Sequence, residues 1–460
     1  MTKTPKISVL MPAYNCGAYL PQAVDSVVAQ LFTDWELVIV DDGSSDDTRA
    51  ALDRYRGDDR IVIHRQENQG LSRASQAALL SARGEYVIRL DADDWFDENI
   101  LFVLNNVLDT HQDYAMVYTD YYRTNEEGEL LEQVVLGKVN GDTVLDLPAL
   151  NTGTMIRKSC LVELGGYNPD IRCQDNYDLW IRFIQKYKAC NINLPLWYYR
   201  QRANSLTTLP GRIFTTRRHI KAEFVKRRFA LPRVLAVVPV RHLNSISPDF
   251  PLMKLNGKRI IDHTLDEALA VEAIQKVVVS TDHPELMVYL RHHYPQVECL
   301  ERSKGMAAAN VGILPTVHDV LNRHGGHAYD AVALLHVHCP LRRAHHIKEA
   351  IDTLLIFQAD SVVSVVEDRR VHYQRMENGL SPVHGNCETL RLERQCLFSE
   401  NGAIFLSRPS CITENRLLGD RVGHVLMRED ESVAIHDPYD FWLASRIIER
   451  NGHPRPEPGD

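Results

Sequence analysis

The sequence predicts an α/β protein built from two Rossmann-like domains, and three observations carry this prediction. Short apolar segments at 38–40 and 86–90 stop abruptly in acids, as buried parallel strands do at the carboxyl edge of a sheet. Segments of strand length alternate with segments of helical period. The alternation starts again near residue 232, and 460 residues exceed what one hydrophobic core usually supports.

The chain is expected to divide into a first domain over 1–211, a basic helical linker over 212–231, a second domain over 232–450 and a disordered tail over 451–460. In the first domain, strands are predicted at 6–11, 35–40, 61–64, 86–90 and 114–118, and helices at 19–30, 72–82 and 99–111. In the second, strands are predicted at 234–240, 276–280 and 331–336, and a helix at 260–270.

The composition is that of an ordinary globular protein, with 44% apolar and 25% charged residues. The net charge of -9 argues against a nucleic-acid partner, because no excess of cations is present to displace phosphate counterions. Nine scattered cysteines without a CxxC pair indicate reduced thiols and a cytoplasmic protein. We find no signal peptide and no apolar segment long enough to span a bilayer.

Cationic residues crowd the segment 212–228, and apolar residues interleave with them at roughly helical spacing. One interpretation is a helix lying on anionic lipid, which would give peripheral contact with the inner face of a membrane through 212–229. The other is a solvated interdomain helix whose apolar stripe packs on either domain. The second interpretation is favoured.

The two acidic strand ends suggest a metal and a nucleotide. Asp41 and Asp42 follow one apolar segment, and Asp91, Asp93 and Asp94 follow the other. Ligands of open α/β sheets bind at this edge, and acids repel a bare diphosphate unless a divalent cation lies between them. For the first cluster, the alternative is that its acids only cap the N-terminus of the following helix. That explanation fails for the second cluster, because three acids in four positions exceed what a cap requires.

Seven segments of the first half, in order, resemble the motifs of the family 2 glycosyltransferases, which are inverting enzymes of the GT-A fold. These segments are 8–15, 40–48, 67–71, 90–94, 165–167, 175–180 and 198–200. Any one of them is a weak signal, but seven in the family's order are specific.

The resemblance implies a nucleotide-sugar site with a divalent cation. Pro12, Ala13 and either Asp41 or Asp42 would line the nucleobase and ribose. Asp91 and Asp93 would hold Mg²⁺ or Mn²⁺ against the donor diphosphate, where a cation stabilises the charge of the leaving group.

Inversion needs one carboxylate to accept the proton of the attacking acceptor hydroxyl. Asp175 is the predicted base, although the family usually has Glu-Asp before Tyr where this chain has Asp175-Asn176. Asp178 is the alternative, and a role as a helix N-terminal carboxylate accounts for it equally well.

A loop near the donor phosphates departs from the family pattern. Relatives often have Tyr-Arg-x-His, whereas this chain has Tyr199-Arg200-Gln201-Arg202. Arginine neutralises phosphate oxygens but does not ligate a cation. We therefore expect Arg200 and Arg202 to clamp the diphosphate.

The second half resembles the cytidylyltransferases that make CMP-activated acidic sugars. The matching segments are 238–241, 255–261, 277–282, 334–342, 360–365, 394–395 and 401–405. The catalytic positions match poorly. Relatives have a glycine- and lysine-rich loop after the first arginine, but His242 follows Arg241 here, and His436 falls within the run where relatives place metal-binding aspartates.

Two interpretations of the second domain therefore stay open. It is either a degenerate cytidylyltransferase that serves as a binding module, which is favoured, or an active enzyme that makes a CMP-activated acidic sugar from CTP. The predicted nucleotide-binding residues of this domain are Arg241, Arg342, Asn401, His436 and Asp437. A degenerate domain would bind through Arg241, Arg342 and Asn401, and an active enzyme would use Arg241, His436 and Asp437 in a rearranged site.

The predicted function is metal-dependent, inverting transfer of a sugar from a nucleoside-diphosphate donor to a glycan or glycoconjugate acceptor. The resemblance places such a protein in the assembly of surface polysaccharides. A non-enzymatic scaffold is the competing class, but the acidic set of the first half argues against it. The sequence leaves a homo-oligomer open and does not define the donor sugar.

Overall fold

A computed structural model describes residues 4–136, 152–171, 173–202, 210–242, 246–308, 310–368, 370–377, 379–383 and 397–451. The chain divides into two compact units, Met1–Lys221 and Ala222–Asp460. Both are α/β, so the predicted fold class is confirmed. The predicted disordered tail lies outside the described residues, apart from Asn451, which ends a helix.

The first unit alternates strands and helices along most of its length. Its strands are β1 (Ile7–Ala13), β2 (Trp35–Asp41), β3 (Ile61–Arg65), β4 (Tyr86–Arg89), β5 (Trp95–Phe96), β6 (Tyr114–Thr124), β7 (Leu130–Val134), β8 (Thr154–Arg157) and β9 (Lys188–Arg200). Its helices are α1 (Leu20–Val28), α2 (Thr48–Asp53), α3 (Leu71–Ser81), α4 (Ile100–Thr110), α5 (Lys158–Glu163) and α6 (Asp175–Ile184). The chain then continues into α7 (Pro210–Arg228).

The strands of this unit form one mixed sheet in the order β3-β2-β1-β4-β8-β6-β9-β5, with β7 beside β6. β1, β2, β3 and β4 are mutually parallel where they pair, so their carboxyl ends meet at one edge. β8 runs antiparallel to both β4 and β6. The two acidic strand ends of the sequence therefore lie at the same edge of the sheet, as predicted.

β1 is the centre of this core. Every residue of β1 is buried, which explains a segment that is apolar almost without interruption. Each fully buried aliphatic side chain contributes on the order of 1.5–3 kcal/mol relative to an exposed one. One layer of core side chains, including Met11 and Leu20, packs on one face of the sheet, and another, including Leu10 and Trp180, packs on the opposite face.

The second unit repeats the architecture with its own sheet. Its strands are β10 (Val234–Val240), β11 (Lys254–Leu255), β12 (Lys258–Arg259), β13 (Ile274–Thr281), β14 (Glu298–Glu301), β15 (Ala331–Leu334), β16 (Ser361–Asp368), β17 (Tyr373–Met376), β18 (Gly379–Pro382), β19 (Leu397–Ser407) and β20 (Val422–Leu426). Its helices are α8 (Ile260–Leu269), α9 (Pro284–His293), α10 (Lys304–Ala307), α11 (Leu314–His324), α12 (Ala344–Ile356) and α13 (Pro438–Asn451).

The main sheet of this unit has the order β14-β13-β10-β15-β19-β16-β20. β10 lies between β13 and β15 and is parallel to both, and all of its residues are buried. β19 runs antiparallel to β15 and β16. The ends of β10, β13, β14 and β15 thus form a second carboxyl edge.

The predicted basic helix is present as α7, and its N-terminal part packs on α6. Arg217 donates from Nε to Gln174 Oε1 at 2.7 Å, and its guanidinium lies 4.9 Å from the ring centre of Tyr177. Ile220 and Lys221 are buried. These contacts support the packing interpretation of the basic segment. Among the helices that the structure describes, none combines the length and apolarity that crossing a membrane requires.

The predicted elements agree with the structure to within a few residues, with one extension. The strand predicted at 114–118 continues to Thr124, because Tyr122 and Arg123 pair in register with Tyr198 and Tyr199 of β9. The periodicity of the sequence does not reveal this second half of β6, since the residues buried there are the polar Thr119, Asp120 and Thr124.

The approach of Gly84 to β1 yields a first prediction. A Cβ at this position would lie 2.6 Å from Ser8 N and 2.8 Å from Ile7 C, both rigid backbone atoms of the central strand region. Gly84→Ala should therefore lower the free energy of unfolding by about 1–3 kcal/mol. Urea unfolding of the full chain measures this.

Gly57→Ala is the matched control, because a Cβ at Gly57 would meet nothing within 4 Å. Equal stability of the two variants would contradict the packing argument.

Candidate active site

A cavity of about 1040 Å³ opens in the first unit, at the edge where β1 and β4 end. Its walls include most of the residues predicted for the site, namely Pro12, Ala13, Asp42, Asp91, Asp93, Asp175 and Arg202. Side chains from segments far apart in the sequence therefore meet around one space. Asp41 and Arg200 lie behind this wall and make other contacts.

Asp42 is held by hydrogen bonds from the segment that leads into α3. Its Oδ1 accepts from Gln66 Nε2 at 2.7 Å and from the Gln69 amide at 2.9 Å, and its Oδ2 accepts from the Gly70 amide at 2.8 Å. Asp41 is buried, and its Oδ1 accepts from the Ser44 amide at 2.9 Å. Of the two acids, Asp42 is thus the one that reaches the cavity.

The second acidic cluster concentrates negative charge in a poorly hydrated place. Asp94 is buried, and burial, followed by the charges of Asp93 and Asp91, raises the pKa of Asp94 well above its ordinary value. Burial also raises the pKa of Asp93, although the positive charge of Arg202 opposes this shift. Asp94 Oδ2 accepts from Thr152 Oγ1 at 2.9 Å, which fixes the base of the cluster.

Arg200 and Arg202 approach this cluster in different ways. Arg202 Nη2 pairs with Asp93 Oδ2 at 2.5 Å, and its Nε is buried without a hydrogen-bond partner among the described residues. The buried Arg200 donates from Nε to the carbonyl of Asp93 at 3.0 Å and from its other nitrogens to Glu126 and Gln22. All three guanidinium nitrogens of Arg200 thus have partners within the fold, and one of these partners is the segment that carries Asp93.

The predicted base also lines the cavity. Asp175 is the first residue of α6, and Gln174 before it adopts a left-handed conformation with φ of 60°. Asp175 is buried, and its Oδ2 accepts from Arg89 Nη1 at 2.6 Å. The same arginine donates from Nε to Asp91 Oδ1 at 2.6 Å. Arg89 therefore connects the predicted base to a predicted metal ligand.

Asp178, the alternative base, has a structural partner instead. Its Oδ2 accepts from Arg182 at 2.9 Å from Nε and at 2.6 Å from Nη2, one turn further along α6. Arg182 in turn donates to the carbonyls of Leu164 and Gly166. This pair anchors α6 to the preceding loop, and Asp178 is absent from the described cavity wall that contains Asp175.

The donor set of the first unit fits a hard divalent cation. Asp91 and Asp93 present carboxylate oxygens to the cavity, and Mg²⁺ and Mn²⁺ prefer such ligands. Burial is the largest cause of the raised pKa of Asp94, and the negative charges of Asp93 and Asp91 add to it. A cation beside Asp91 and Asp93 would offset those two charges.

Arg89 lines the cavity but was missed by motif reasoning, and the sequence does contain a signal for it. It is the one charged residue in the buried strand segment 86–90. A cation in such a strand needs an anionic partner, because an unpaired charge is strongly disfavoured away from water. The partners could not be named beforehand, since Asp175 is 86 residues away.

The second carboxyl edge carries cationic groups. Arg241 follows β10, and it donates to the carbonyl of Val311. Arg302 follows β14 and is 2% exposed, and its Nη1 has no partner among the described residues. Burial, followed by the charge of Arg241, lowers the pKa of Arg302 to about 10. Motif reasoning named Arg241 but missed Arg302.

Imidazoles take the place of acids near β15. The rings of His336 and His338 stack at 4.9 Å, and those of His338 and His436 lie 5.5 Å apart. Burial, followed by His338 and Arg342, lowers the pKa of His336 to about 3. Burial, followed by His436 and Arg342, lowers the pKa of His338 to about 4. Both are therefore neutral imidazoles at pH 7.

Three residues predicted to bind nucleotide in this unit make hydrogen bonds within the fold. Asn401 bonds through Oδ1 to Ser364 Oγ and the Ala403 amide, and through Nδ2 to Ser432 Oγ and Met427 Sδ. Arg342 donates from Nη1 to the carbonyls of His336 and Ala403. Asp437 accepts a hydrogen bond from the Asp440 amide in the first turn of α13. Two nitrogens of the buried Arg342, Nε and Nη2, have no hydrogen-bond partner among the described residues.

One further group of potential metal ligands is present among the described residues, formed by His345, His346 and Glu431. The Nε2 atoms of the two histidines lie 3.1 Å apart, and Glu431 Oε2 lies 3.4 Å from His346 Nε2. The Arg343 amide donates to His346 Nδ1, so the proton of the neutral ring lies on Nε2. A histidine that binds a metal through Nε2 carries its proton on Nδ1 instead. This group is therefore better described as a hydrogen-bonded cluster.

Family comparisons divide the chain in the same way. The family described as Glycosyl transferase family 2 matches residues 8–157, and the family described as Cytidylyltransferase matches residues 235–403. The chain joins a family 2 glycosyltransferase domain to a cytidylyltransferase domain. Both resemblances drawn from the sequence motifs are thereby confirmed.

Individual glycosyltransferases match parts of the chain. Chondroitin synthase of Escherichia coli is 34% identical over 132 residues, which are 28% of this chain and 19% of that protein. Glycosyltransferase GlyG of Streptococcus pneumoniae serotype 4 is 28% identical over 219 residues, 44% of this chain and 72% of that protein. A crystal structure of S. aureus TarS has a TM-score of 0.40 at 19% identity, covering 48% and 65% of the two chains. The chain thus spans about a fifth of the length of the chondroitin synthase.

Proposed function

We propose that the glycosyltransferase domain transfers a sugar, with inversion, from a nucleoside-diphosphate donor to a hydroxyl of a glycan or glycoconjugate. One observation carries the proposal. A single cavity contains the acidic pair Asp91 and Asp93 together with the buried carboxylate of Asp175. Diphosphate departure needs the first kind of group and hydroxyl deprotonation needs the second, and both must be within reach of one sugar.

On the donor side, Pro12, Ala13 and Asp42 would line the nucleoside, and Asp91 and Asp93 would hold Mg²⁺ or Mn²⁺. A cation at that position stabilises the negative charge that develops on the leaving diphosphate. Arg202 has its Nε free of described partners and lies on the cavity wall. We assign the phosphate contact to Arg202, and we assign to Arg200 the support of the loop that carries Asp93.

On the acceptor side, Asp175 would take the proton as the hydroxyl oxygen attacks the anomeric carbon. The bond between that carbon and the phosphate oxygen breaks, and its electron pair leaves with the diphosphate. The proton ends on the Asp175 carboxylate and the new glycosidic bond forms on the opposite face, which inverts the configuration. The relation to a chondroitin synthase supports a glycan acceptor and a role in polysaccharide assembly.

For the cytidylyltransferase domain we propose a binding role without nucleotidyl transfer. His436 falls in the run where the family places metal-binding aspartates, and Asp437 serves the first turn of α13. The edge formed by Arg241 and Arg302 still offers positive charge to a phosphate or carboxylate. The alternative is a bifunctional protein whose second domain makes a CMP-activated acidic sugar.

The base assignment can be tested by Asp175→Asn, which keeps the size of the side chain but removes its ability to accept a proton. Transfer should fall about a hundredfold or more, while donor binding persists. Steady-state transfer and equilibrium binding of a nucleotide sugar measure the two quantities.

Asp178→Asn is the matched control for this variant. It should lower stability through loss of the Arg182 contact and keep turnover per folded molecule. If Asp178→Asn abolishes transfer and Asp175→Asn does not, the base is Asp178.

The cation assignment predicts that Asp93→Ala loses most transfer while the fold is retained, because one of two proposed ligands is removed. Transfer by the full chain with Mn²⁺ and circular dichroism are the measurements. Asp53→Ala, at an exposed ion pair with Arg56, is the control and should transfer normally. Full activity in excess EDTA would refute a metal-dependent mechanism.

The binding role of the second domain predicts that the full chain releases no pyrophosphate from CTP with any nonulosonate or related sugar acid, in Mg²⁺ or Mn²⁺. The physical reason is the loss of the carboxylates and the lysine on which nucleotidyl transfer relies. Sugar-dependent pyrophosphate release that His436→Ala abolishes would establish the bifunctional alternative instead.

A further inference from the structure

Arg89 combines unusual burial with an unusual set of partners. It is the last residue of β4, its side chain is 11% exposed, and its guanidinium donates from all three nitrogens to two carboxylates. Nε and Nη2 contact the two oxygens of Asp91 at 2.6 Å and 3.2 Å, and Nη1 contacts Asp175 Oδ2 at 2.6 Å. Burial disfavours the charge, but Asp175 and Asp91 outweigh it and hold the pKa of Arg89 well above its ordinary value.

We propose that Arg89 is a positioning residue that couples the cation site at Asp91 to the orientation of the base Asp175. The inference rests on the proposed function, since it assumes that these two carboxylates have those roles. Arg89 itself contacts neither donor nor acceptor in this account. It acts by fixing the positions of two groups that must act on the same sugar.

The planar guanidinium is what makes one side chain sufficient for this task. Its Nε and Nη2 form a fork that matches both oxygens of one carboxylate, and Nη1 points in another direction toward the second. Lysine has a single ammonium group and cannot reproduce both contacts with fixed geometry. The ring of Tyr167, whose centre is 5.9 Å from the guanidinium, limits the space in which Arg89 could move.

The turn that carries Asp175 is held from two sides. Arg89 contacts the carboxylate itself, while Arg217 of α7 donates to the side chain of the preceding Gln174. Gln174 has a left-handed backbone, which is uncommon for a residue with a side chain and is retained where surrounding contacts fix it. The backbone of the turn is therefore fixed through Gln174, while the direction of the Asp175 carboxylate depends on Arg89.

The shared charge predicts a specific sign for cation binding. Arg89 divides one positive charge between two carboxylates, and it repels a cation bound at Asp91. Asp175→Asn leaves the whole guanidinium charge to Asp91, so Mn²⁺ should bind more weakly. Arg89→Gln removes the competing charge, so Mn²⁺ should bind at least as tightly as in the original protein. A purely structural role for Arg89 would instead weaken Mn²⁺ binding when Arg89 is lost.

The experiment is a double-mutant cycle on the full chain, with Arg89→Gln, Asp175→Asn and the double variant. The dissociation constant of Mn²⁺ is measured without donor, from the electron paramagnetic resonance signal of free Mn²⁺. Asp175→Asn should weaken Mn²⁺ binding by about threefold or more when Arg89 is present and by clearly less when it is Gln, as expected for contacting residues. Arg89→Gln should lower kcat about tenfold or more with little change in the donor KM, because the base loses its placement.

Arg89→Lys separates charge from geometry and also serves if Arg89→Gln fails to fold. It should keep Mn²⁺ binding near the original value while kcat stays low. The inference is overturned if Arg89→Gln transfers at the original rate or binds Mn²⁺ more weakly than the original protein. It is also overturned if Asp175→Asn changes Mn²⁺ binding equally with Arg89 and with Gln at that position, or if the original protein binds no Mn²⁺.

The failure of the proposed function has a different signature. If Asp175→Asn alone transfers at the full rate, the base assignment is wrong, whatever the Mn²⁺ cycle gives. If Asp175→Asn loses transfer and Arg89→Gln does not, the base assignment stands and the positioning role of Arg89 is wrong.

Discussion

Negative charge withdrawn from water is the constraint on which the first site depends. The carboxyl edge of a parallel sheet brings Asp42, Asp91 and Asp94 together because each strand ends there. Such crowding is unfavourable unless cations or amide groups compensate it. The compensation comes from the backbone amides around Gly70 for Asp42, and from guanidinium groups for the other cluster. These partners come from the chain segments that surround the cavity.

The second domain uses a similar layout with a different set of charges. Its carboxyl edge carries Arg241, the buried Arg302 and neutral imidazoles, while Asp282 after β13 accepts from the His242 amide and the nearby Asp437 serves a helix terminus. A fold places an edge and a cleft, while the side chains at that edge decide which charge the cleft accepts. The two halves of this chain illustrate the point within one polypeptide, since acids crowd one edge and arginines and imidazoles gather at the other.

Much of this could be predicted from the sequence, and the limits have physical causes. The buried parallel strands could be predicted because a short apolar run that ends in acids is typical of a strand reaching the carboxyl edge of its sheet. Short antiparallel strands such as β5 and β7 were missed, since they are defined by pairing with distant segments and not by their own periodicity. The contact between Arg89 and Asp175, and the structural engagement of Arg200 and Asn401, depend on the folded arrangement in the same way.

The helix α7 has a practical consequence for dissecting this chain. Ile213 forms part of the cavity wall and Arg217 supports the turn before Asp175, yet both lie after the point where the glycosyltransferase motifs end. A fragment cut immediately after those motifs would keep every recognisable signature and still lack one wall of its cavity. An isolated glycosyltransferase domain should therefore extend beyond its last recognisable motif, far enough to include Ile213 and Arg217.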